Sequence, residues 1–492
     1  MKELKTKART IITTDGEVDD MNSFLRCLLY SNEIDTEGIV LTSSVYHYAG
    51  DPDKGIEPFR WTGEGWINEF IDQYEKVYNN LCIHAEGYPA PDRLRELYHI
   101  GNISYKGEMM LETAGSQFIE NYLLKDQDPR PLYIQTWGGT NTTARALKSL
   151  EEKYSTTPEW PALKQRIEEK VVLYIILDQD ETYSDYIAKN WKIKVINDRF
   201  SFWHFAYLWK KVNGNLTTRL SSEWNYELKT NYGPLLEKYA LMGDGNLLAG
   251  ELPEEQRGSD SYLTNNPEYQ RYEFISEGDS PSFFYLLNNG LRNDEDPSYG
   301  GWGGRFREKN PYLFTNDALD YNPYSQQFES EYTLTRWLDD IQDDFKARAQ
   351  WCVAETFEEA THYPVVSLEG TLDRQVTPGE KVVIACEAQD PNQRTLYYQW
   401  WVYQEASTYT PMNLLEPRYE DIEGFVIGQS AESVTQCHPA IKLEGANTPQ
   451  VTCYVPEDIK PGQTLHVILE VANDGEHKLK TYRRIILTAK EG

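Results

Sequence analysis

Thr10 to Thr14 is a short β-branched run, and Met21, Phe24, Leu25, Leu28 and Leu29 follow it at i, i+3, i+4, i+7 and i+8. The first pattern predicts a buried strand and the second the apolar face of a helix. Residues 34–45 read as a second strand, which completes a βαβ unit. The same alternation continues: helical stretches at 66–80, 91–98 and 116–124, a strand at 131–136, and a helix from Thr143 to Glu151. Val171 to Leu177 is a continuous apolar run, as in a central strand covered on both faces. A short strand over 194–196, an aromatic helix over 200–209 and an apolar helical segment from Phe283 to Leu287 follow. Trp337, Ile341, Phe345 and Ala349 then fall at helical spacing within 330–352, the last helix of the unit. The expectation is a doubly wound, mainly parallel α/β domain spanning residues 8–360.

From Tyr363 the period changes to two. Apolar alternation with turn residues between runs recurs at 364–368, 381–387, 396–403, 451–455, 465–471 and 481–487. The spacing predicts an immunoglobulin-like sandwich over 361–492, about seven short strands. Asp390-Pro-Asn-Gln precedes Leu396-Tyr-Tyr-Gln-Trp-Trp401, a turn and Trp-bearing strand of that architecture, so Trp400 or Trp401 is read as core.

The chemistry gathers in the turns. Between the first strand and helix lie Asp15, Glu17, Asp19 and Asp20, four acids in six positions at the carboxyl edge of the expected sheet, where open α/β sheets bind ligands. Such carboxylates raise one another's pKa unless something neutralises them. A helix N-terminus contributes about 0.3–1 kcal/mol; a hard cation taking about six to eight oxygens contributes far more. Alternatively Asp19 or Asp20 caps the helix and the other acids are solvated. Thr136-Trp-Gly-Gly-Thr-Asn141 follows the 131–136 strand: Thr140 or Asn141 caps the next helix, or the glycines let the backbone approach a ligand. Asp178-Gln-Asp-Glu-Thr-Tyr183 ends the apolar strand, and Glu277-Gly-Asp-Ser-Pro-Ser282 is a further acidic turn. Four glycines flank Trp302, which is either an exposed aromatic on a backbone-dominated loop or tucked inward.

Composition narrows the partners. With 78 acids against 48 bases the net charge is −30, which argues against nucleic acid and anionic membranes. No run of 18 apolar residues exists to span a membrane. Aromatics reach 13%, with 35 Tyr and 13 Trp, a composition suited to stacking on sugar rings. The six cysteines, at 27, 82, 352, 386, 437 and 453, form no CxxC; one bridge among Cys386, Cys437 and Cys453 is compatible with the sequence but not implied by it. The first ten residues lack a signal peptide's apolar region, which suits a cytoplasmic protein and equally a mature exported one.

Taken together, Thr14-Asp-Gly-Glu-Val-Asp-Asp20, Thr136-Trp-Gly-Gly-Thr-Asn141 and Glu277-Gly-Asp-Ser-Pro281 resemble, in order and spacing, the motifs of the calcium-dependent nucleoside hydrolases. With the Gly-Gly-Trp-Gly-Gly-Arg segment and the β-sandwich tail, the whole chain looks like the bacterial cellulose-binding proteins that carry a nucleoside hydrolase-like domain. The resemblance implies Ca2+ held by Asp15, Asp20, Asp279 and the backbone carbonyl of Thr136, with Asp15 also the general base. It gives Asp19 a sugar hydroxyl, and the neighbouring Asn141, Gln179, Asp180 and Trp302 are candidates for substrate contact. Calcium would orient the sugar diol and lower the pKa of water, and attack at the anomeric carbon would proceed with inversion. The implied location is periplasmic or secreted.

Four departures bear on function. The family's leading Asp is Thr13, its Pro-Gly is Gly16-Glu17, and the His before its last metal Asp is Gly278. The Asn after its second strand falls near Val45 and has no clear counterpart. The expectation is therefore a calcium-dependent hydrolase of furanosyl N- or O-glycosides acting on a sugar, glycan or nucleoside-like molecule. A glycan-binding protein without turnover and a scaffold with a structural calcium are the competing readings. The sandwich is compatible with binding glycan, packing against the pocket or holding a homodimer.

Overall fold

The structure is a computed structural model that describes residues 6–409 and 440–491, with the backbone of strands Arg418–Ile422 and Phe425–Ala431 between them. Strands β1 (Ala8–Thr14), β2 (Ile34–Leu41), β3 (Tyr98–Ile100), β4 (Leu132–Thr136), β5 (Val171–Ile176), β6 (Lys194–Asp198), β7 (Arg307–Asn310) and β8 (Leu313–Thr315) form one sheet in the order β3-β2-β1-β4-β5-β6-β8-β7. All neighbours run parallel except the edge pair β7–β8. Alternate strand residues serve opposite faces, as the pleat requires. Ile11, Ile134, Leu173 and Val195 pack with Ile119, Leu123, Leu147 and Leu150 on one side. Ile12, Tyr133, Tyr174 and Ile196 pack with Phe24, Phe70, Ile341 and Phe345 on the other. Helix α1 (Val18–Tyr30) is buried along its whole length, polar residues included.

The doubly wound expectation holds, with local corrections. Tyr98, read as the end of a helix over 91–98, instead opens the strand Tyr98–Ile100. The aromatic segment 200–209 is not one helix: short 3₁₀ turns occupy Ser201–Phe205 and Trp209–Lys211. Its rings all seek burial around the chain axis, which leaves no polar face for a regular surface helix. The helix over 330–352 breaks into Tyr332–Thr335 and Leu338–Trp351.

The C-terminal sandwich has two four-stranded sheets. Val365–Leu368, Lys381–Gln389, Gln450–Tyr454 and Leu443–Glu444 form one; Asp373–Val376, Lys480–Ala489, Thr464–Asn473 and Leu396–Val402 form the other. Trp400 lies in its core, as expected, and donates to the Thr448 carbonyl. Trp401 instead faces the α/β unit and packs on Trp337. Arg418–Ile422 and Phe425–Ala431 extend a third sheet with Gln327–Glu329 and Asp320–Asn322 of the α/β unit. Cys386 and Cys453 are free, buried thiols, and Cys437 lies outside the described residues. No helix among the described residues is long and apolar enough to cross a membrane.

The sandwich shares a core with the sheet domain. Tyr403, Ile468, Leu479 and Tyr482 belong to the same apolar cluster as α1. Arg484, fully buried, donates to the carbonyls of Tyr299 and Gly300 at 2.8 and 2.7 Å. The exposed alternative for Trp302 is thereby overturned. It is 3% exposed, its indole N–H points to the Tyr482 hydroxyl, and the glycines around it let the loop settle between the domains.

Candidate functional site

The site is assembled at the carboxyl ends of β1 and β4. Asp15 follows β1 directly, and the chain then needs the left-handed Gly16 (φ 82°) to turn into α1. A Cβ at Gly16 would stand 2.7 Å from Thr62 Oγ1 and 2.8 Å from Trp66 Nε1. Helix α1 opens without a side-chain cap, so neither Asp19 nor Asp20 is used for capping. Asp20 Oδ1 instead accepts from the Asp15 backbone N–H at 3.1 Å and from the Thr14 hydroxyl. The turn after β4 closes on the same point: a Cβ at Gly138 would lie 2.8 Å from Asp15 Cβ. Thr136 ends β4 in register with Thr13, at the same sheet edge.

Asp279 arrives from far along the chain. It immediately precedes the short helix Ser280–Phe284, and Ser282 donates to its carbonyl. The turn is anchored from below by Glu277, which receives a two-pronged bond from Arg26 of α1 (2.6 and 2.7 Å). Asp19, Asp20 and Asp279 thereby each offer one oxygen, all within 4.8 Å of one another, an arrangement able to hold a metal ion. Asp15 adjoins this triad. Asp19, to which the resemblance gives a sugar hydroxyl, stands among the potential ligands.

The electrostatics fit a cation. Burial, then the charge of Glu17, pushes the Asp15 carboxyl up to about 7. Burial raises Asp20 well above the ordinary carboxylate range, with Asp15 adding to it. Asp19 rises through burial and its neighbours Glu17 and Asp20, and Asp279 through burial, Asp20 and Asp19. Asp15 Oδ2 and Asp279 Oδ2 are buried without a hydrogen-bond partner among the described residues. Buried acceptors of this kind are costly unless something satisfies them. An oxygen-only donor set with orphaned carboxylate oxygens suits a hard divalent ion.

Glu17, the extra charge relative to the nucleoside hydrolase motif, has its own balance. Burial pushes it upward, but His47, Arg60, the Tyr207 hydrogen bond and Arg257 outweigh that and hold it below the ordinary range. Tyr207 donates to Glu17 Oε1 at 2.7 Å, and Arg60 also grips Glu251. Spacing could not reveal these partners, which come from loops 30 to 240 residues away; the anomalous Glu17 is the one hint. Ser44, beside the position left open near Val45, accepts the backbone N–H groups of Tyr46 and His47 on its hydroxyl.

The remaining candidates are committed to the framework. Asn141 Oδ1 accepts from Thr42 and Thr142, and its Nδ2 donates to Ser43 and the Asn102 carbonyl, which uses its whole amide. Asp180 takes the Asn141 backbone N–H and the Thr182 N–H and hydroxyl, so it serves as the cap of helix Asn141–Tyr154 from a neighbouring loop. Thr140 occupies the cap position but makes no capping bond. The Gln179 amide donates to the carbonyls of Trp137 and Ile176 and ties two site turns together. In this structure Asn141 and Asp180 are engaged by the framework, and Trp302 faces the sandwich.

Comparison with known proteins agrees with this geometry. Residues 9–306 match the family described as "Cellulose-binding Sde182, nucleoside hydrolase-like domain", and residues 381–489 match "Cellulose-binding protein Sde0182, C-terminal domain". No curated protein matches the chain. A nucleoside hydrolase-related hypothetical protein from Saccharophagus degradans, associated with carbohydrate metabolism, aligns at 21% identity and TM-score 0.72. The alignment covers 99% of this chain and 100% of that one, and the likeness establishes the fold. An inosine–guanosine nucleoside hydrolase aligns at 11% identity and TM-score 0.24, over 56% of this chain and 96% of its own, and no weight rests on it. The chain belongs to the Sde182 family of bacterial proteins, in which a nucleoside hydrolase-like domain is followed by the Sde0182 C-terminal domain.

Proposed function

We propose that the protein is a calcium-dependent hydrolase of furanosyl glycosides, with an N- or O-linked leaving group. One observation carries the reading: four buried carboxylates converge at the sheet's carboxyl edge, and two of their oxygens have no partner among the described residues. Asp19, Asp20 and Asp279 would hold the ion, with Asp15 and the Thr136 carbonyl beside them. Calcium bound there would neutralise the acids, orient a sugar diol and acidify water. Asp15, raised by burial, would accept a proton from the attacking water. The covered site excludes bulk water and would strengthen these interactions.

The family's description also supports glycan binding without turnover, and Gly278 favours that alternative because it offers no side chain to a leaving group. Metal content by mass spectrometry comes first, on protein purified without chelator and on Asp20→Ala. About one calcium per chain, lost in the variant, is expected. Release of reducing sugar from a panel of furanosides and nucleosides then follows, with Asp15→Asn as control. That variant should keep most of its metal and lose turnover. No calcium in the wild type, even at millimolar supply, sinks the hydrolase reading. Calcium with glycan binding but no release of sugar supports the binding-only alternative.

A further inference from the structure

Glu17 uses only one of its two oxygens. Oε1 accepts from the Tyr207 hydroxyl at 2.7 Å and from Arg60 at 3.4 Å. Oε2 faces His47 Nε2 across 3.7 Å. His47 is fully buried, yet neither ring nitrogen has a hydrogen-bond partner among the described residues. Its position is set by a tight turn: Ser44 N–H donates to the His47 carbonyl at 2.9 Å, and His47 N–H returns to the Ser44 hydroxyl at 3.3 Å.

A carboxylate only accepts, so the nitrogen facing it carries the proton. The gap is too wide for a hydrogen bond, which needs roughly 2.7–3.2 Å. An oxygen inserted about 2.8 Å from each atom would take the His47 proton as acceptor and give its own to Glu17. A hydroxyl can do both. A ring nitrogen or a carbonyl of a base cannot. Glu17 is also the most exposed of the clustered acids: its side chain is 14% exposed, against 1–8% for Asp15, Asp19, Asp20 and Asp279. The deep acids would hold the attacked sugar, and the part that departs must lie outward, beside Glu17.

We propose that His47 and Glu17 clamp a hydroxyl of the leaving group, so that the preferred substrate is an O-glycoside whose leaving group is itself a sugar. This rests on the furanoside-hydrolase reading above. It also accounts for Gly278. A Cβ there would lie 2.7 Å from Asp19 Oδ2 and 3.2 Å from the Phe202 ring, so a leaving-group contact cannot come from that position.

The test compares two substrates of the same furanose: a furanosyl disaccharide, whose leaving sugar bears hydroxyls, and the p-nitrophenyl furanoside, whose leaving group has none beyond the departing oxygen. With His47→Phe, kcat/KM for the disaccharide should fall about 30-fold or more, the loss of one or two hydrogen bonds to a charged partner. The p-nitrophenyl substrate should change less than about threefold. Glu17→Gln also removes a charge beside Asp15 and Asp19, so it should alter both substrates but lower the disaccharide further, and thermal midpoints with calcium confirm that each variant is folded. Equal losses on both substrates, or none on either, overturn the clamp and point to water alone in the gap. Wild-type protein that cleaves neither substrate, nor any furanoside in the panel, overturns the hydrolase reading and the clamp with it. The two failures are therefore distinct.

Discussion

Arg26 Nε and Glu277 Oε2 lie 2.6 Å apart, both side chains fully buried, and the pair joins the first helix to a turn 251 residues later. The guanidinium also donates to Gln342 and sits 3.7 Å over the Phe345 ring. Two residues beyond Glu277 comes Asp279. The ion pair thus sets where the last acid meets the first three. Removing one partner leaves an uncompensated buried charge, which costs about 3–5 kcal/mol. Arg26→Ala and Glu277→Gln should each lower stability by about that amount in urea unfolding. Both should also weaken calcium-dependent stabilisation, because Asp279 loses its anchor. A variant that keeps wild-type stability would show that the pair is incidental.

Without metal, the acidic cluster makes stability fall as pH rises. The folded Asp15 titrates at about 7, above the ordinary value of 3.8. A carboxyl raised by folding binds its proton more tightly in the folded state, so its contribution is fully present below about pH 4 and is lost as pH climbs through 7. For Asp15 alone the loss is on the order of 4 kcal/mol. Asp19, Asp20 and Asp279 shift the same way. In chelator, the thermal midpoint should therefore decline between pH 5 and 8, and Asp15→Asn should flatten that decline. Millimolar calcium should reverse the trend, with protons released on binding. A midpoint in chelator that does not respond to Asp15→Asn would contradict the buried-carboxylate account.

The strand–turn–helix at 10–29 is legible because periodicity reports burial on one face and the acids interrupt it sharply. The Asp279 turn is legible only through the resemblance; no spacing rule relates positions 250 residues apart. The committed roles of Asn141 and Asp180 were hidden for a different reason. Polar residues at a sheet's carboxyl edge look alike in sequence whether they meet a ligand or satisfy the backbone of a neighbouring loop. Only the hydrogen-bond partners separate the cases. Trp302 shows the same limit, since four glycines serve a close interdomain fit as well as an exposed loop.

The sandwich should not be separable from the α/β unit. Tyr482 donates to Asp340 at 2.5 Å, and its ring meets those of Trp302 and Trp337. Asp320, fully buried, takes Arg305, Arg336 and the Tyr403 hydroxyl. A chain ended at residue 360 would expose Trp302 and Trp337 and strip Asp320 of one partner. It should be insoluble or aggregate on heating, while the full chain should unfold in one calorimetric transition. Two resolved transitions, or a soluble truncated domain that binds calcium normally, would count against the shared core.

Restoring the nucleoside hydrolase histidine should harm this protein rather than convert it. A Cβ at residue 278 would lie 2.7 Å from Asp19 Oδ2, 3.2 Å from Phe202 and 3.3 Å from Ala206. Phe202 and Ala206 are buried in the main core and have little room to yield. The least resisting neighbour is therefore the Asp19 carboxylate, one of the three able to share a metal. Gly278→Ala already tests this. It should cost about 1–3 kcal/mol through overpacking and reduce the calcium-induced rise in thermal midpoint. Gly278→His should abolish that rise and gain no inosine cleavage. The contrast with Asp19→Asn is informative: that variant should lose calcium response without overpacking, and in chelator it should be more stable than wild type because one buried charge is gone. A Gly278→His protein that binds calcium normally and cleaves inosine would show that the site is a nucleoside hydrolase lacking one residue, and not a pocket rebuilt around a different leaving group.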